Sequence, residues 1–199
     1  MKTKQLLAIL RGHVEPVLVS AGFSRLKDRT GTCAAWCRSV ADDCHFTVWA
    51  QNDKWPFDPW VGSRFLVELQ RAPVCAVGAT HGALRLRLQL LLTDAEREEV
   101  RTLQNAVIAK CRIPTEEEHR QIMGFGLLPG NEYEASCRLI EGDFDPRLDL
   151  WLRYLDEADC HGWGEFLESW LPKALDRFAS LGALSGLYPP GETLPRWRS

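Results

Sequence analysis

Residues 45–70 read HFTVWAQN (45–52), DKWPFDPWVG (53–62) and SRFLVELQ (63–70). Apolar and polar residues alternate in both outer segments, and this period of two predicts half-buried β-strands. The ten residues between them are more than a tight hairpin turn needs, and they include three aromatic residues and two prolines. Long loops of this kind are usually functional or packed on themselves. The segment therefore predicts two strands joined by an aromatic loop.

The neighbouring segments extend this pattern into a sheet. Two short strands are predicted within residues 25–39, and a longer one at 83–92, where leucine alternates with arginine or glutamine. No helical pattern separates the strands between residues 32 and 92. Parallel strands need long crossovers, so the sequence favours an antiparallel β-meander of about four to five strands.

Helices are predicted before and after the meander. An amphipathic helix at residues 3–21 comes first, with Pro16 expected to bend it and Gly22 to end it. In the second half of the chain, two helices are predicted to begin at capping boxes, in which Thr is followed by Glu three residues later. Its predicted elements are a helix from the capping box at 93–96, a shorter helix from the capping box at 115–118, weak strand alternation at 132–140, a helix at 146–158 and a last helix at 164–181.

These elements predict an α+β fold in a single domain spanning residues 1–199. The first helix and the meander occupy residues 1–92, and a helical half that packs on one face of the sheet occupies 93–185. An extended tail is predicted at 186–199. A chain of 199 residues is long enough to bury one sizeable core, so one domain is expected.

The composition excludes several classes of partner. A formal net charge of −3 argues against the concentrated basic face that nucleic-acid binders need, so no nucleic acid is expected. No run approaches the ~18 apolar residues that cross a bilayer, so no membrane partner is expected. The seven cysteines, an odd number, favour a reducing compartment over a disulfide framework, and the protein is predicted to be cytoplasmic.

The order of elements in the first half resembles an uncharacterised family of small bacterial α+β domains. That order is an amphipathic helix, the pair Gly22-Phe23, a tryptophan-bearing strand, FTVWAQ (46–51) and FLVELQ (65–70). Proteins of that type are often found in toxin–immunity gene neighbourhoods, so the resemblance implies a binding protein more than an enzyme. It covers roughly the first half of the chain and supplies no catalytic residues.

The aromatic loop and the polar side of the adjoining strands are the predicted partner-binding site. Aromatic anchors beside arginines are typical of protein-binding patches. Arg85 and Arg87, on the polar side of the meander, are placed to pair across strands. An inward-folded loop that covers the sheet edge stays open as the opposite interpretation. The predicted site residues are Trp55, Phe57, Trp60, Asp53, Asp58, Arg64 and Glu68.

The leading functional hypothesis is a protein that binds another macromolecule, most concretely another protein, and acts by occlusion. A toxin-neutralising immunity protein is its most specific form. Pro56 and Pro59 would hold the loop in a preformed shape and so reduce the entropy lost on binding. No catalytic residues and no cofactors are predicted, and neither the partner nor the oligomeric state follows from the sequence.

Two other functions stay open. A small enzyme or ligand-binding protein would have its pocket under the loop at 53–62 and would use His45, Asp53 or Glu68. A zinc-stabilised domain would use the Cys-His pairs at 44–45 and 160–161. Cys33 and Cys37 on one strand would lie about 13 Å apart, too far to share an ion. Structural roles for the cysteines are therefore favoured, and no metal site is predicted.

Overall fold

The computed structural model of the protein describes residues 3–27, 33–54, 56–78, 83–126, 132–140 and 151–181. Within these ranges the chain forms an antiparallel sheet and five α-helices. The helices are α1 (Thr3–Ser20), α2 (Asp94–Ile108), α3 (Glu116–Met123), α4 (Glu132–Ser136) and α5 (Glu157–Ser180), with a 3₁₀-helix at Leu88–Leu91. The strands are β1 (Ser24–Arg25), β2 (Cys33–Ala41), β3 (Cys44–Asn52), β4 (Ser63–Ala72), β5 (Leu84–Arg87) and β6 (Leu152–Tyr154).

The sheet follows the order β1-β2-β3-β4-β5, and every pairing is antiparallel. Strand β6 pairs with the first residues of β4, on the side of β4 where β5 pairs farther along. The predicted α+β fold, with its N-terminal helix, meander and C-terminal helix on the sheet, is confirmed. The second half of the chain is not purely helical, however, because it contributes β6 to this sheet.

The caps that begin α2 and α3 and the glycine that ends α1 lie where the sequence predicts them. Gly22 has a φ of 82°, and its N–H donates to the carbonyl of Val19 at 2.9 Å. Phe23 folds back under α1 and is buried. Both predicted capping boxes, at the starts of α2 and α3, are present. Pro16 lies inside the continuous helix α1.

One face of the sheet carries the hydrophobic core, and we call it the apolar face. Helices α1 and α5 contact each other and cover this face. Side chains that point to one side of alternating strand positions meet them there, as period-two patterning requires. The largest buried members of the core are Trp36, Trp163, Trp170, Tyr154, Phe65 and Phe178.

The opposite face, which we call the polar face, is also largely buried but is polar in character. Its members include Thr47, Trp49, Glu68 and Gln70, each 0–1% exposed. The segment after β4 lies against it, because Gln70 donates to the carbonyl of Ala76 at 3.1 Å. A disulfide joins Cys37 of β2 to Cys75 of the same segment. The cysteine count therefore does not decide the compartment, and the cytoplasmic location stays a prediction.

Three predicted elements are wrong. The weak strand alternation predicted at 132–140 is replaced by helix α4 over its first residues, Glu132–Ser136. The helix predicted at 146–158 is absent from the described residues before Glu157, where α5 begins; β6 forms there instead and pairs Phe65 with Leu152 and Ser63 with Tyr154. Leu152 and Tyr154 are both fully buried, so burial at this position follows the strand period of two and not the helical spacing. The strand predicted at 83–92 ends at Arg87 and continues as a 3₁₀-helix. Helix α5 also begins earlier than predicted, at a capping box formed by Asp156 and Asp159.

Candidate functional site

The aromatic loop folds inward, which corrects the prediction that it points outward. Trp60 is only 4% exposed, and its indole stacks on the His119 ring of α3 with 5.6 Å between ring centroids. Phe57 is half-buried, and its ring centroid lies 6.2 Å from that of Tyr154. Trp55 lies outside the described residues. Trp60 is therefore part of the scaffold and is not an exposed anchor.

Asp58 fixes the shape of this loop. Its Oδ1 accepts hydrogen bonds from the backbone N–H groups of Trp60 and Val61, at 2.7 and 3.0 Å. Its Oδ2 accepts from the hydroxyl of Tyr133 in α4 at 2.7 Å. The carboxylate thus turns the loop and ties it to a distant helix. Asp58 acts as a structural cap of the loop.

The three carboxylates among the predicted site residues have different partners. Asp53 accepts from Arg64 Nε at 2.5 Å, and Asp58 is occupied within the loop. Glu68 is 1% exposed and accepts from the Nε atoms of Arg85 and Arg87, at 2.9 and 3.1 Å. The predicted cross-strand pairing of these two arginines is confirmed. The predicted site residues are thus divided between the loop and the polar face.

A surface that the sequence did not single out stands on top of the aromatic loop. We call it the α3 lobe and define it as residues 112–126. Three of its large apolar side chains are at least half exposed: Ile113 at 50%, Ile122 at 61% and Phe125 at 51%. Exposed apolar side chains among charged residues are characteristic of interaction surfaces. The charged rim of the lobe consists of Arg112, Glu116, Glu117, Glu118 and Arg120.

Short-range contacts hold the α3 lobe in one shape. Thr115 accepts from the N–H of Glu118, whose carboxylate accepts from the N–H of Thr115 and from both Nη atoms of Arg112. Hydrogen bonds, chiefly from Arg112 and then from Thr115, lower the pKa of Glu118 to about 2. Gly124 ends the helix with a φ of 81°. A helix of eight residues is marginal by itself, so these caps and the stacking on Trp60 sustain it.

A chain of polar contacts between α1 and α5 also escaped the sequence analysis. His13 Nδ1 lies 3.0 Å from Glu168 Oε2, and His13 Nε2 lies 3.1 Å from His161 Nδ1. Gly164 permits this approach, because a Cβ atom there would lie 2.3 Å from His13 Cδ2. The helical spacing of His13 within the buried stripe of α1 was the available signal. The contacts link the two helices that cover the apolar face.

The remaining predicted metal ligands and bases are separated. Cys160 is buried in the core, while His45 contacts the Ser39 hydroxyl at 3.0 Å. Across the ranges that the structure describes, no group of three or more His, Cys, Asp or Glu side chains is arranged to hold a metal ion. The Cys-His pairs therefore have separate surroundings.

The apolar face contains a small cavity between α1, α5 and the sheet. Its volume is about 10 Å³, and Leu10, Val14, Trp36, Val67 and Leu171 are among its lining residues. A cavity of this size holds at most about one water molecule. The space under the aromatic loop is occupied by Phe57 and Tyr154. Neither place offers room for a metabolite.

Comparison of the chain with models of known protein families, with curated proteins and with solved structures gave no match. The resemblance of the first half to small bacterial α+β domains therefore stays a hypothesis. Among the described helices, none combines the length and the apolar character needed to cross a bilayer.

Proposed function

We propose that the protein acts by binding another protein, and that it presents the α3 lobe to that partner. The observation that carries this proposal is the exposure of Ile113, Ile122 and Phe125 on one short, capped helix and its flanks. Burying a large apolar side chain contributes about 1.5–3 kcal/mol, so a partner that covers these three gains substantial free energy.

The inward position of Trp60 supports this proposal in a revised form. Trp60 and His119 stack beneath α3, and the His119 ring also meets the Phe125 ring edge-on at 5.1 Å. The aromatic loop thus serves as the base of the lobe. A surface that is ordered before binding loses little conformational entropy when its partner arrives. Pro56 and Pro59 contribute to the same preorganisation.

The mechanism would be occlusion, in which the lobe covers a functional surface of the partner. Neutralisation of a toxin by an immunity protein is the most specific form of this proposal. Support for it comes from the apolar lobe with a charged rim and from the first-half resemblance. The alternatives with a pocket or with zinc have no comparable observation in their favour.

The test is affinity capture from a lysate of the source organism with the full chain as bait. Asp at both Ile122 and Phe125 (I122D/F125D) should reduce capture of the partner at least tenfold, because desolvating a carboxylate in an apolar interface is costly. Val40→Asp is the matched control, since Val40 is 53% exposed near the end of β2. It should capture the partner like the wild type.

Thermal unfolding separates this effect from loss of fold. Both lobe substitutions and the control should unfold within about 1 kcal/mol of the wild type, as exposed sites do. Trp60→Ala should lower both stability and capture, because it removes the base of the lobe. Equal amounts of the same captured protein on the wild type and on I122D/F125D would refute the lobe as the binding surface.

A further inference from the structure

Two arginines face each other directly where β4 meets β6. Arg64 and Arg153 are cross-strand partners in the register of these strands. The backbone of Arg153 points away from β4: its N–H donates to Gln104 Oε1 at 3.0 Å, and its carbonyl accepts from Trp163 Nε1 at 2.7 Å. The two arginines are therefore a non-hydrogen-bonded pair, the type in which opposite side chains lie closest.

Both side chains point to the polar face. The neighbours of Arg153 in β6, Leu152 and Tyr154, are buried in the core cluster, so alternation directs Arg153 to the other side. Arg64 lies over the Trp151 ring, with 5.3 Å from its Cζ to the ring centroid. Two guanidinium groups and an indole thus meet at the end of the sheet.

The charges in this place do not balance. Asp53 neutralises Arg64, but among the described residues no carboxylate contacts Arg153. Its electrostatic neighbours are Arg64 and the thiols of Cys111 and Cys137. Burial and the charge of Cys137 raise the pKa of Cys111 to about 11, so the thiol is neutral at physiological pH and supplies no counter-charge. Among the residues that the structure describes, one half-buried positive charge is left over.

Two other half-buried arginine groups within the described ranges have counter-ions. Arg85 and Arg87 share Glu68, and Arg177 forms two hydrogen bonds of 2.6 Å to the carboxylate of Glu96. Like charges directly opposite on a sheet are destabilising, so an unbalanced arginine pair needs a reason. Burial, followed by the repulsion from Arg64, lowers the pKa of Arg153, although arginine stays protonated in proteins.

We propose that Arg153 and Arg64 form a binding site for an oxyanion of the phosphate class, either inorganic phosphate or the phosphoryl group of a small molecule. A guanidinium presents a planar fork of donors that matches two oxygens of such an anion. The anion supplies the negative counter-charge for Arg153. The Trp151 ring beside Arg64 offers a stacking surface for an organic group attached to the phosphoryl.

The experiment is isothermal titration calorimetry on the full chain at pH 7.5, with chloride holding the ionic strength constant. The titrants are inorganic phosphate and phenyl phosphate. The wild type should bind one equivalent, and Arg153→Gln should weaken binding about tenfold or more through loss of charge-assisted hydrogen bonds. Tighter binding of phenyl phosphate than of inorganic phosphate would assign the site to an organic phosphate, and equal binding would assign it to the free ion.

Arg97→Gln is the control, because this substitution removes the same formal charge. Arg97 lies on α2 and pairs with the fully exposed Asp94. The control variant should bind phosphate like the wild type. In chloride, Arg153→Gln should unfold at a temperature no lower than the wild type, since the substitution relieves repulsion. No binding by the wild type, or equal binding by Arg153→Gln, would overturn the proposal. The I122D/F125D variant should keep phosphate binding, so this site is tested separately from the α3 lobe.

Discussion

The two faces of the sheet are both buried, but they are stabilised by different forces. The apolar face is covered by α1 and α5 and depends on side-chain packing. The polar face encloses Glu68 between Arg85 and Arg87, where hydrogen bonds and opposite charges must compensate for lost hydration. In an apolar core, one apolar side chain can be replaced by another of similar size at little cost. A buried charge, in contrast, is destabilising unless its oppositely charged partner is present. The polar face should therefore respond more sharply to a single substitution.

The largest effect is expected from Glu68→Gln. The change removes the carboxylate that Arg85 and Arg87 share, at a position that is 1% exposed, and breaking a buried ion pair in this way costs about 3–5 kcal/mol. Urea unfolding measures the free-energy difference. Replacing all three residues with apolar ones (E68L/R85M/R87M) should recover most of the loss, because no charge then remains buried. A loss below about 1 kcal/mol in Glu68→Gln would show that water compensates the arginines.

A somewhat smaller effect is expected at Gly62, where the aromatic loop enters β4 beside β6. Its φ is 73°, and a Cβ atom would lie 2.0 Å from the carbonyl oxygen of Tyr154. Since that oxygen belongs to the backbone, Gly62→Ala should cost about 3 kcal/mol in thermal or urea unfolding. Gly124→Ala is the control, because its φ is 81° but no atom lies within 4 Å. It should cost about 1 kcal/mol, and equal losses would mean that only φ matters.

The ion pair between Glu96 of α2 and Arg177 of α5 gives a prediction about pH. Burial raises the pKa of Glu96, but hydrogen bonds from Arg177 and Thr93 outweigh it and lower the pKa to about 2. A carboxyl whose pKa is lower in the folded state stabilises the fold above its unfolded pKa and loses that contribution on acidification. The stability advantage of the wild type over Glu96→Gln should therefore be complete above about pH 5 and should shrink toward pH 2.

Chemical denaturation at a series of pH values measures this advantage. Glu98→Gln is the comparison, because the Glu98 side chain is 63% exposed beside Arg101. Its difference from the wild type should change little over the same range. An advantage of Glu96 that persists unchanged at pH 2 would contradict the assigned role of Arg177.

The smallest effect is expected where α1 and α5 touch. Gly164→Ala places a Cβ atom 2.3 Å from the His13 ring, which can shift, so a loss of about 1 kcal/mol is expected. Gly162→Ala meets only Leu103 Cδ2 at 3.5 Å and should gain up to about 1 kcal/mol from helix propensity. Opposite signs in thermal unfolding would confirm the close approach. A gain in both variants would show that the His13 ring moves aside freely.

Sequence reasoning was most successful where the cause is local. Capping boxes at Thr93 and Thr115, and the glycine turn at Gly22, are set by neighbours within four residues. The pairing of Arg85 and Arg87 with Glu68 followed from strand alternation in two segments that lie close in the chain. These features need no knowledge of the whole fold.

Sequence reasoning failed where distant segments decide the outcome. Strand β6 exists because Leu152 pairs with Phe65, and helical spacing nearby conceals it. The inward turn of Trp60 depends on α3, which supplies His119. Arg153 lies opposite Arg64 through a register that no local pattern predicts. Locating the candidate surfaces therefore requires the three-dimensional pairing of β6 with β4.

Gln104 of α2 has a consequence for how this chain behaves in the company of its own copies. Its side-chain amide donates to the Trp151 carbonyl at 2.8 Å and accepts from the Arg153 N–H, so it occupies the outer rim of β6 much as a further strand would. An open rim invites strand addition by another chain, which is a common route to aggregation. Helix α2 thus blocks this edge, and the sheet cannot add a strand at β6 while Gln104 stays in place.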